Sequence, residues 1–231
     1  MKKEEFINAC QEAELTINET QIEQFEMYLH LLQEWNQKMN LTSITEEEEI
    51  WEKHFYDSIM PFKDVKTGCL CDVGTGAGFP GIPVAIMFPD IDVTLVEPLQ
   101  KRCRFLQVVK ETLNLNVTIC NERAEDFAKN HRESFDVLTS RAVARLTILL
   151  ELCAPLVKVG GLIVALKGKN GHEELKNAQK AMDTLGVSYD HEECVQVEQA
   201  QHIIFYLRKE KACPKKYPRN FGQIKKKPLG E

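Results

Sequence analysis

The feature that most restricts the fold of this chain begins at residue 69, where short apolar runs start to alternate with amphipathic stretches. Cys69–Val73, Asp92–Val96, Asn116–Cys120, Phe135–Thr139 and Leu162–Leu166 each have the length of a buried strand. Between them lie helical candidates at Gly81–Phe88, Leu99–Leu113, Glu125–Asn130 and Ala144–Cys153. Strands alternating with helices predict an α/β domain whose mostly parallel sheet is covered on both faces. After Gly168 the pattern predicts one more helix, Glu173–Leu185, and two late strands, Cys194–Glu198 and His202–Leu207. No helix-length segment separates those two strands, so they are expected to pair antiparallel.

The residues before that point read as helices. Asn18 followed by Gln21 has the spacing of a capping box. Ile22, Phe25, Leu29, Leu32 and Met39 then form one apolar face, which reads as core packing rather than a ligand site. Asn40-Leu41-Thr42-Ser43 breaks the pattern. Glu46–Glu49 places acid in the first turn of a following helix, where the macrodipole favours it. That helix is expected to run to Ile59 and stop before Pro61. The expected division is an N-terminal helical extension (1–62), an α/β domain (63–210) and a basic C-terminal tail (211–231).

Composition narrows the class. The chain has 231 residues, 43% hydrophobic and 28% charged, as befits one large globular domain with an appendage. Its richest apolar stretch, Leu146–Val157, is broken by Glu151 and Pro155, well short of the roughly 20 apolar residues that span a bilayer. Met1-Lys2-Lys3-Glu4-Glu5 turns acidic where a signal peptide carries its apolar core. A cytoplasmic protein with no membrane partner is expected. The eight cysteines contain no C-x-x-C pair, and Cys69 and Cys71 point to opposite faces of a strand. They are expected to be reduced thiols, with no metal bound.

Net charge is −6, which taken alone argues against sequence-independent binding to nucleic acid. The distribution is uneven, however. Arg208, Lys209, Lys211, Lys215, Lys216, Arg219, Lys225, Lys226 and Lys227 crowd the C-terminus, opposed only by Glu210 and Glu231. This arm is either a solvated tail or a surface for nucleic acid.

The strongest local signal is Asp72-Val73-Gly74-Thr75-Gly76-Ala77-Gly78-Phe79-Pro80-Gly81, which follows a strand and opens a helix. Glycines there permit positive φ and close approach of a ligand to the backbone. Strand carboxyl ends are also where open α/β sheets bind ligands. Gly76-x-Gly78-x-x-Gly81 matches the dinucleotide fingerprint, while the wider D-x-G-x-G-x-G pattern resembles the first motif of S-adenosylmethionine methyltransferases. Charge separates the two. Asp72 at the loop mouth would repel a pyrophosphate but suits S-adenosylmethionine, which carries an ammonium and a sulfonium and no phosphate. Glu97, ending the second strand, is placed to accept from ribose hydroxyls. The backbone of Ala124 and Glu125, after the third strand, is placed for the adenine edge.

The fourth strand bears on which atom is methylated. Enzymes that methylate exocyclic amines carry an Asp/Asn-Pro-Pro-aromatic signature there; this chain has Ser140-Arg141-Ala142-Val143-Ala144-Arg145. Cytosine-C5 enzymes need a cysteine nucleophile, usually after proline, and no such pair is present. Guanine N7 has an exposed lone pair and no proton to lose, so methylation needs chiefly positioning and electrostatics. Arg141 is too basic to be a general base, but it can donate to a guanine edge or orient a phosphate. It is the candidate catalytic residue.

Asn40-Leu41-Thr42, His54-x-x-Asp57-Ser58, the glycine loop through Ile82-Pro83, Ser140-Arg141-Ala142-Val143-Ala144 and Leu166-Lys167-Gly168 occur in order. The ordered set resembles the glucose-inhibited division protein B (RsmG) family, from about residue 35 to the C-terminus. The resemblance implies a Rossmann-like class I S-adenosylmethionine-dependent methyltransferase, with a seven-stranded mostly parallel sheet and a late antiparallel hairpin. It implies transfer of a methyl group to N7 of a guanine in bacterial 16S ribosomal RNA, near the decoding centre, leaving S-adenosylhomocysteine. The motif match carries over Gly74, Phe79, Ala124, Glu125 and Arg141 as cofactor contacts; Asp72, Gly76 and Glu97 join them on the charge and loop arguments. Arg123, Arg145, Lys167, Lys215, Lys216, Arg219, Lys225, Lys226 and Lys227 are the expected RNA contacts. The partner is 16S RNA or the small ribosomal subunit, and the protein is expected to be a monomer. Tyr217-Pro218-Arg219 and Lys227-Pro228-Leu229 continue the likeness. Asn220 and Ile224 depart from it, standing where a basic residue and a proline are expected. A small-molecule methyltransferase and a non-catalytic RNA-binding assembly factor are the alternatives.

Overall fold

The computed structural model describes residues 1–141, 144–197 and 200–230. Ala142, Val143 and Glu198, which fall in the sequence motifs and strands above, lie outside the described residues. The chain runs α1 (Lys3–Glu12), α2 (Glu19–Met39), α3 (Glu47–Glu49), a π-helical segment (Ile50–Tyr56), α4 (Asp57–Ile59) and a 3-10 turn (Met60–Phe62). Then come β1 (Gly68–Val73), α5 (Gly81–Met87), β2 (Ile91–Val96), α6 (Gln100–Thr112), β3 (Val117–Cys120), α7 (Ala124–Asn130) and β4 (Phe135–Arg141). It continues with α8 (Leu146–Cys153), β5 (Val157–Lys167), α9 (Gly171–Asn177), α10 (Gln179–Leu185), β6 (Val187–Val197), β7 (Ala200–Lys209) and α11 (Phe221–Lys226).

The strand order is β3-β2-β1-β4-β5-β7-β6. β1–β4, β2–β3 and β4–β5 pair parallel, whereas β5–β7 and β6–β7 pair antiparallel. The expected parallel sheet with a late antiparallel hairpin is what the chain forms. Several bounds differ. β5 starts at Val157 rather than Leu162, and β6 at Val187 rather than Cys194, because both strands continue through polar or glycine residues that break an apolar count. The helix expected over 173–185 is two helices parted at Ala178. The helix expected to end at Ile59 is mostly π-helical, and Pro61 sits inside the next turn.

Two compact units are distinguishable, 1–68 with 75–121, and 69–74 with 122–231. In the first, Asn18 caps α2 by accepting from the Gln21 amide, with Gln21 returning the bond to the Asn18 amide. Phe6, Phe25, Tyr28, Trp51 and Phe55 are fully buried, and their rings form one aromatic core beneath α2. Side chains of α2 then reach backbone beyond it. Gln21 Nε2 donates to the carbonyls of Ile86 and Met87, and Gln24 Nε2 to that of Leu113. The N-terminal helices therefore share a core with α5 and α6. In the second unit, α8 is buried on every side chain, including Glu151. Among the described residues, no helix is long and apolar enough to cross a membrane. All eight cysteines are free thiols.

Candidate functional site

The glycine loop leaves β1 through Gly74, Gly76 and Gly78, with φ of 70°, 63° and 105°. These left-handed conformations favour glycine because it has no Cβ to clash. Gly78 is also crowded: a Cβ there would lie 2.6 Å from Ile82 Cγ1 and 2.8 Å from the Tyr28 hydroxyl. The amides of Gly78 and Phe79 donate to the Thr75 carbonyl, at 2.9 and 3.0 Å, and the Gly78 carbonyl accepts from Ile82 as α5 begins.

Gly76 and Glu97 are brought together. The Gly76 amide donates to Glu97 Oε2 at 3.0 Å, and the Leu99 amide to Oε1 at 2.9 Å. Glu97 is 2% exposed. Its backbone is fixed by the Cys120 carbonyl, which accepts from Glu97 N, and by Asn121 Nδ2 and Cys103 Sγ, which both donate to Glu97 O. Phe79 is turned inward, stacked on His54 and packed beside Tyr28. The Tyr28 hydroxyl donates to the Ala77 carbonyl at 2.6 Å. Sequence reasoning missed Tyr28. The available signal was a tyrosine within an apolar helix face, since a buried phenol needs a partner for its hydroxyl.

In the second unit, Asp72 is fully buried on β1 and is the register partner of Thr139 on β4. The Thr139 hydroxyl is buried with no hydrogen-bond partner among the described residues. Ser140 Oγ donates to the Val73 carbonyl at 2.9 Å, fixing the ends of β1 and β4 together. Arg141, half-buried, closes β4 opposite Leu166 of β5. Arg123 is exposed and precedes α7, whose first residues are Ala124 and Glu125. First-turn amides of a helix lack intrahelical acceptors, so both can donate outward.

Arg145 is exposed at the start of α8. Lys167 is engaged instead: its Nζ donates to the Ala144 carbonyl at 2.5 Å and pairs with Glu174 at 2.9 Å. Glu174 also accepts from the Leu146 amide at 2.8 Å, so the two side chains stitch the start of α8 to β5. Cys153, on α8, is fully buried, and burial pushes its thiol well up. A thiol so held is not a thiolate nucleophile. Lys215, Lys216, Lys225, Lys226 and Lys227 are exposed, whereas Arg219 grips the buried Glu151.

Each unit by itself carries groups that suit a cationic nucleoside cofactor. In the first, Glu97 is a buried carboxylate beside the left-handed Gly76 and Gly78; in the second, Asp72 is a buried carboxylate near the end of β1, and the first-turn amides of α7 point outward. The architecture matches that of solved structures with little sequence identity. P. horikoshii TYW2 in complex with MeSAdo superposes with a TM-score of 0.56 at 16% identity, over 67% of this chain and 62% of that one. TrmN from Thermus thermophilus superposes with a TM-score of 0.55 at 17% identity, over 67% and 48%. Fold and loop together define a class I S-adenosylmethionine methyltransferase fold.

Sequence likeness is more specific. Residues 21–204 match the family model GidB, rRNA small subunit methyltransferase G. The protein named ribosomal RNA small subunit methyltransferase G from Bacillus subtilis (strain 168) is 48% identical over 99% of each chain. Its namesake from Clostridium botulinum (strain Eklund 17B / Type B) is 51% identical over 96% of each. This chain belongs to the rRNA small subunit methyltransferase G family.

Proposed function

We propose that this protein transfers the methyl group of S-adenosylmethionine to N7 of a guanine in 16S ribosomal RNA, near the decoding centre. The observation that carries the reading is the near-complete coverage of relatives bearing the small-subunit methyltransferase name, at 48–51% identity. Asp72, Gly74, Gly76, Phe79, Glu97, Ala124, Glu125 and Arg141 hold the cofactor. Asp72 and Glu97 supply negative charge and hydrogen-bond acceptors. Gly74 and Gly76 leave room at the backbone. Phe79 acts from its packed position behind the loop, and the Ala124 and Glu125 amides face the base. When bound, S-adenosylmethionine supplies an electrophilic methyl on a positively charged sulfur.

Arg141 works on the acceptor. Permanently charged, it orients the guanine or its phosphate so that the N7 lone pair meets the methyl in line, with no covalent enzyme intermediate. Nothing must remove a proton, and the reaction requires no metal. Arg123 and Arg145, both exposed near strand carboxyl ends, meet RNA phosphates with the lysines of the tail. The chain divides its labour accordingly: 1–62 braces the glycine loop, 63–210 carries cofactor and catalysis, and 211–231 meets RNA. The protein acts as a cytoplasmic monomer on 16S RNA or the assembling small subunit.

The test is tritiated methyl transfer to 16S RNA and to small subunits from cells lacking the enzyme, followed by nucleoside analysis. Labelled 7-methylguanosine is the expected product. A different methylated nucleoside overturns the choice of atom, and absence of label on both substrates overturns the substrate.

A further inference from the structure

The tail is not a loose polycation. Tyr217, Ile224 and Pro228 are buried, and α11 packs on α8. Asn220 caps α11 by accepting from the Gln223 amide, and Ile224 fills the contact beneath. Arg132 donates to the carbonyls of Tyr217 and Cys213, at 2.6 and 2.8 Å. The strongest tie is electrostatic. Glu151, fully buried in α8, accepts from Arg219 three times: from the backbone amide at 3.0 Å, from Nε at 2.7 Å and from Nη2 at 2.6 Å. Arg219 Nη2 also donates to the Lys227 carbonyl at 3.0 Å, closing the tail into a loop around α11.

We propose that Glu151 and Arg219 form a clamp that fixes the tail on α8 and so presents Lys215, Lys216, Lys225, Lys226 and Lys227 as one preformed phosphate-binding surface for RNA. The inference rests on the ribosomal RNA reading above. A buried carboxylate is costly to keep unless it is paired and fully hydrogen-bonded, and here one arginine does both. The guanidinium fork is committed to Glu151 in bidentate geometry. Arg219 is therefore a positioning residue, whereas the five lysines are exposed and carry the phosphate contacts. A disordered tail must lose its conformational freedom on meeting RNA; a clamped one has lost it already.

The two roles open to Arg219 differ in sign. If it touched phosphate directly, removing the neighbouring acid would strengthen RNA binding. If it is the clamp, removing the acid weakens binding even though a negative charge is lost. The experiment uses the full-length protein, with 16S RNA or unmethylated small subunits titrated across a salt series, S-adenosylmethionine binding measured by calorimetry, and amide hydrogen exchange followed over residues 213–230. Glu151→Gln and Arg219→Ala are expected to weaken RNA binding about fivefold, as a few freed side chains would. The salt slope should stay unchanged, exchange across the tail should speed up, and cofactor affinity should be as in the parent. Arg219→Lys, which keeps one ion pair, should recover part of the loss. Lys225→Ala/Lys226→Ala/Lys227→Ala should weaken binding and flatten the salt slope by about 2 to 3.

Parental or tighter RNA binding by Glu151→Gln overturns the clamp, as does a loss of about one unit of salt slope in Arg219→Ala. Should Glu151→Gln fail to fold, the two Arg219 variants decide alone. Full RNA affinity in the triple lysine variant overturns the RNA reading of the tail, which is a different failure from that of the clamp.

Discussion

The imidazole of His54 lies flat on the ring of Phe79, with centroids 4.3 Å apart and planes inclined by 14°. His54 Nε2 is 2.8 Å from Thr42 Oγ1. Thr42 is itself fixed, its amide donating to Asn36 Oδ1 and its carbonyl accepting from Asn36 Nδ2. The Asn40-Leu41-Thr42 turn, the His54 motif and the end of the glycine loop thus form one packed chain of contacts. His54 is 8% exposed, so its ring is occupied with packing rather than presented to RNA.

His54→Ala should loosen the loop rather than the RNA contact. An aromatic pair contributes about 0.5–1.5 kcal/mol beyond burial, so affinity for S-adenosylmethionine is expected to fall by about 2- to 10-fold. RNA affinity in the absence of cofactor should stay near the parent value. Calorimetric titration with cofactor and filter binding with RNA separate the two. A variant that loses RNA binding while keeping cofactor affinity contradicts this role.

Gly78→Ala tests the loop directly. Its φ of 105° disfavours any side chain, and the added Cβ would overlap Ile82 and Tyr28. Strain and overpacking of this kind each cost about 1–3 kcal/mol. The midpoint of chemical denaturation should fall, and cofactor binding should weaken more than tenfold. An alanine variant with parental stability would mean that the Tyr28 hydroxyl moves aside freely.

Asp136 gives the fold a pH-dependent component. The Cys69 amide donates to its carboxylate at 2.9 Å and Lys158 pairs with it at 2.7 Å. The amide first, then the lysine, hold its carboxyl below the usual carboxylate range. A carboxyl with a depressed pKa in the folded state contributes stability above its unfolded value, near pH 4, and loses it as pH falls through the lower folded value. The site is half-exposed, so the contribution is modest. Asp136→Asn should be less stable than the parent in urea at pH 7, with the difference shrinking below about pH 4. A difference that persists undiminished at pH 2.5 would assign the loss to the amide bond's geometry rather than to charge.

Much of this architecture is written locally, and some of it is not. Alternation of apolar runs located the five parallel-sheet strands because buried strands have little choice of residue. It missed the first half of β6, where Tyr189, Asp190, His191 and Glu192 sit on an edge strand and carry polar side chains. The glycines and Glu97 were legible because a left-handed loop and a strand-end acid leave residue types as their mark. Tyr28 over Ala77, Glu174 beneath Leu146 and Glu151 under Arg219 were not legible, since each joins residues far apart in sequence. Composition also misreads the tail. Its positive charge is evident in the sequence, but the carboxylate that holds it is an isolated glutamate inside α8, a helix whose side chains are all buried.

Arg141→Ala separates catalysis from folding. The residue ends β4 and is half-buried, so the strand beneath it keeps its ladder to β5 when the side chain is cut back. Removing a preorganised charged donor from a reacting centre typically lowers turnover by about 100- to 1000-fold. Turnover of 16S RNA is expected to fall by that order, while the thermal midpoint shifts by only a few degrees. Cofactor affinity measured separately divides the effect. A drop confined to turnover assigns Arg141 to the guanine, and an equal drop in cofactor affinity assigns it to the cofactor. If the variant instead unfolds at ordinary temperature, the guanidinium is a structural tie and the acceptor must be oriented by Arg123 or Arg145.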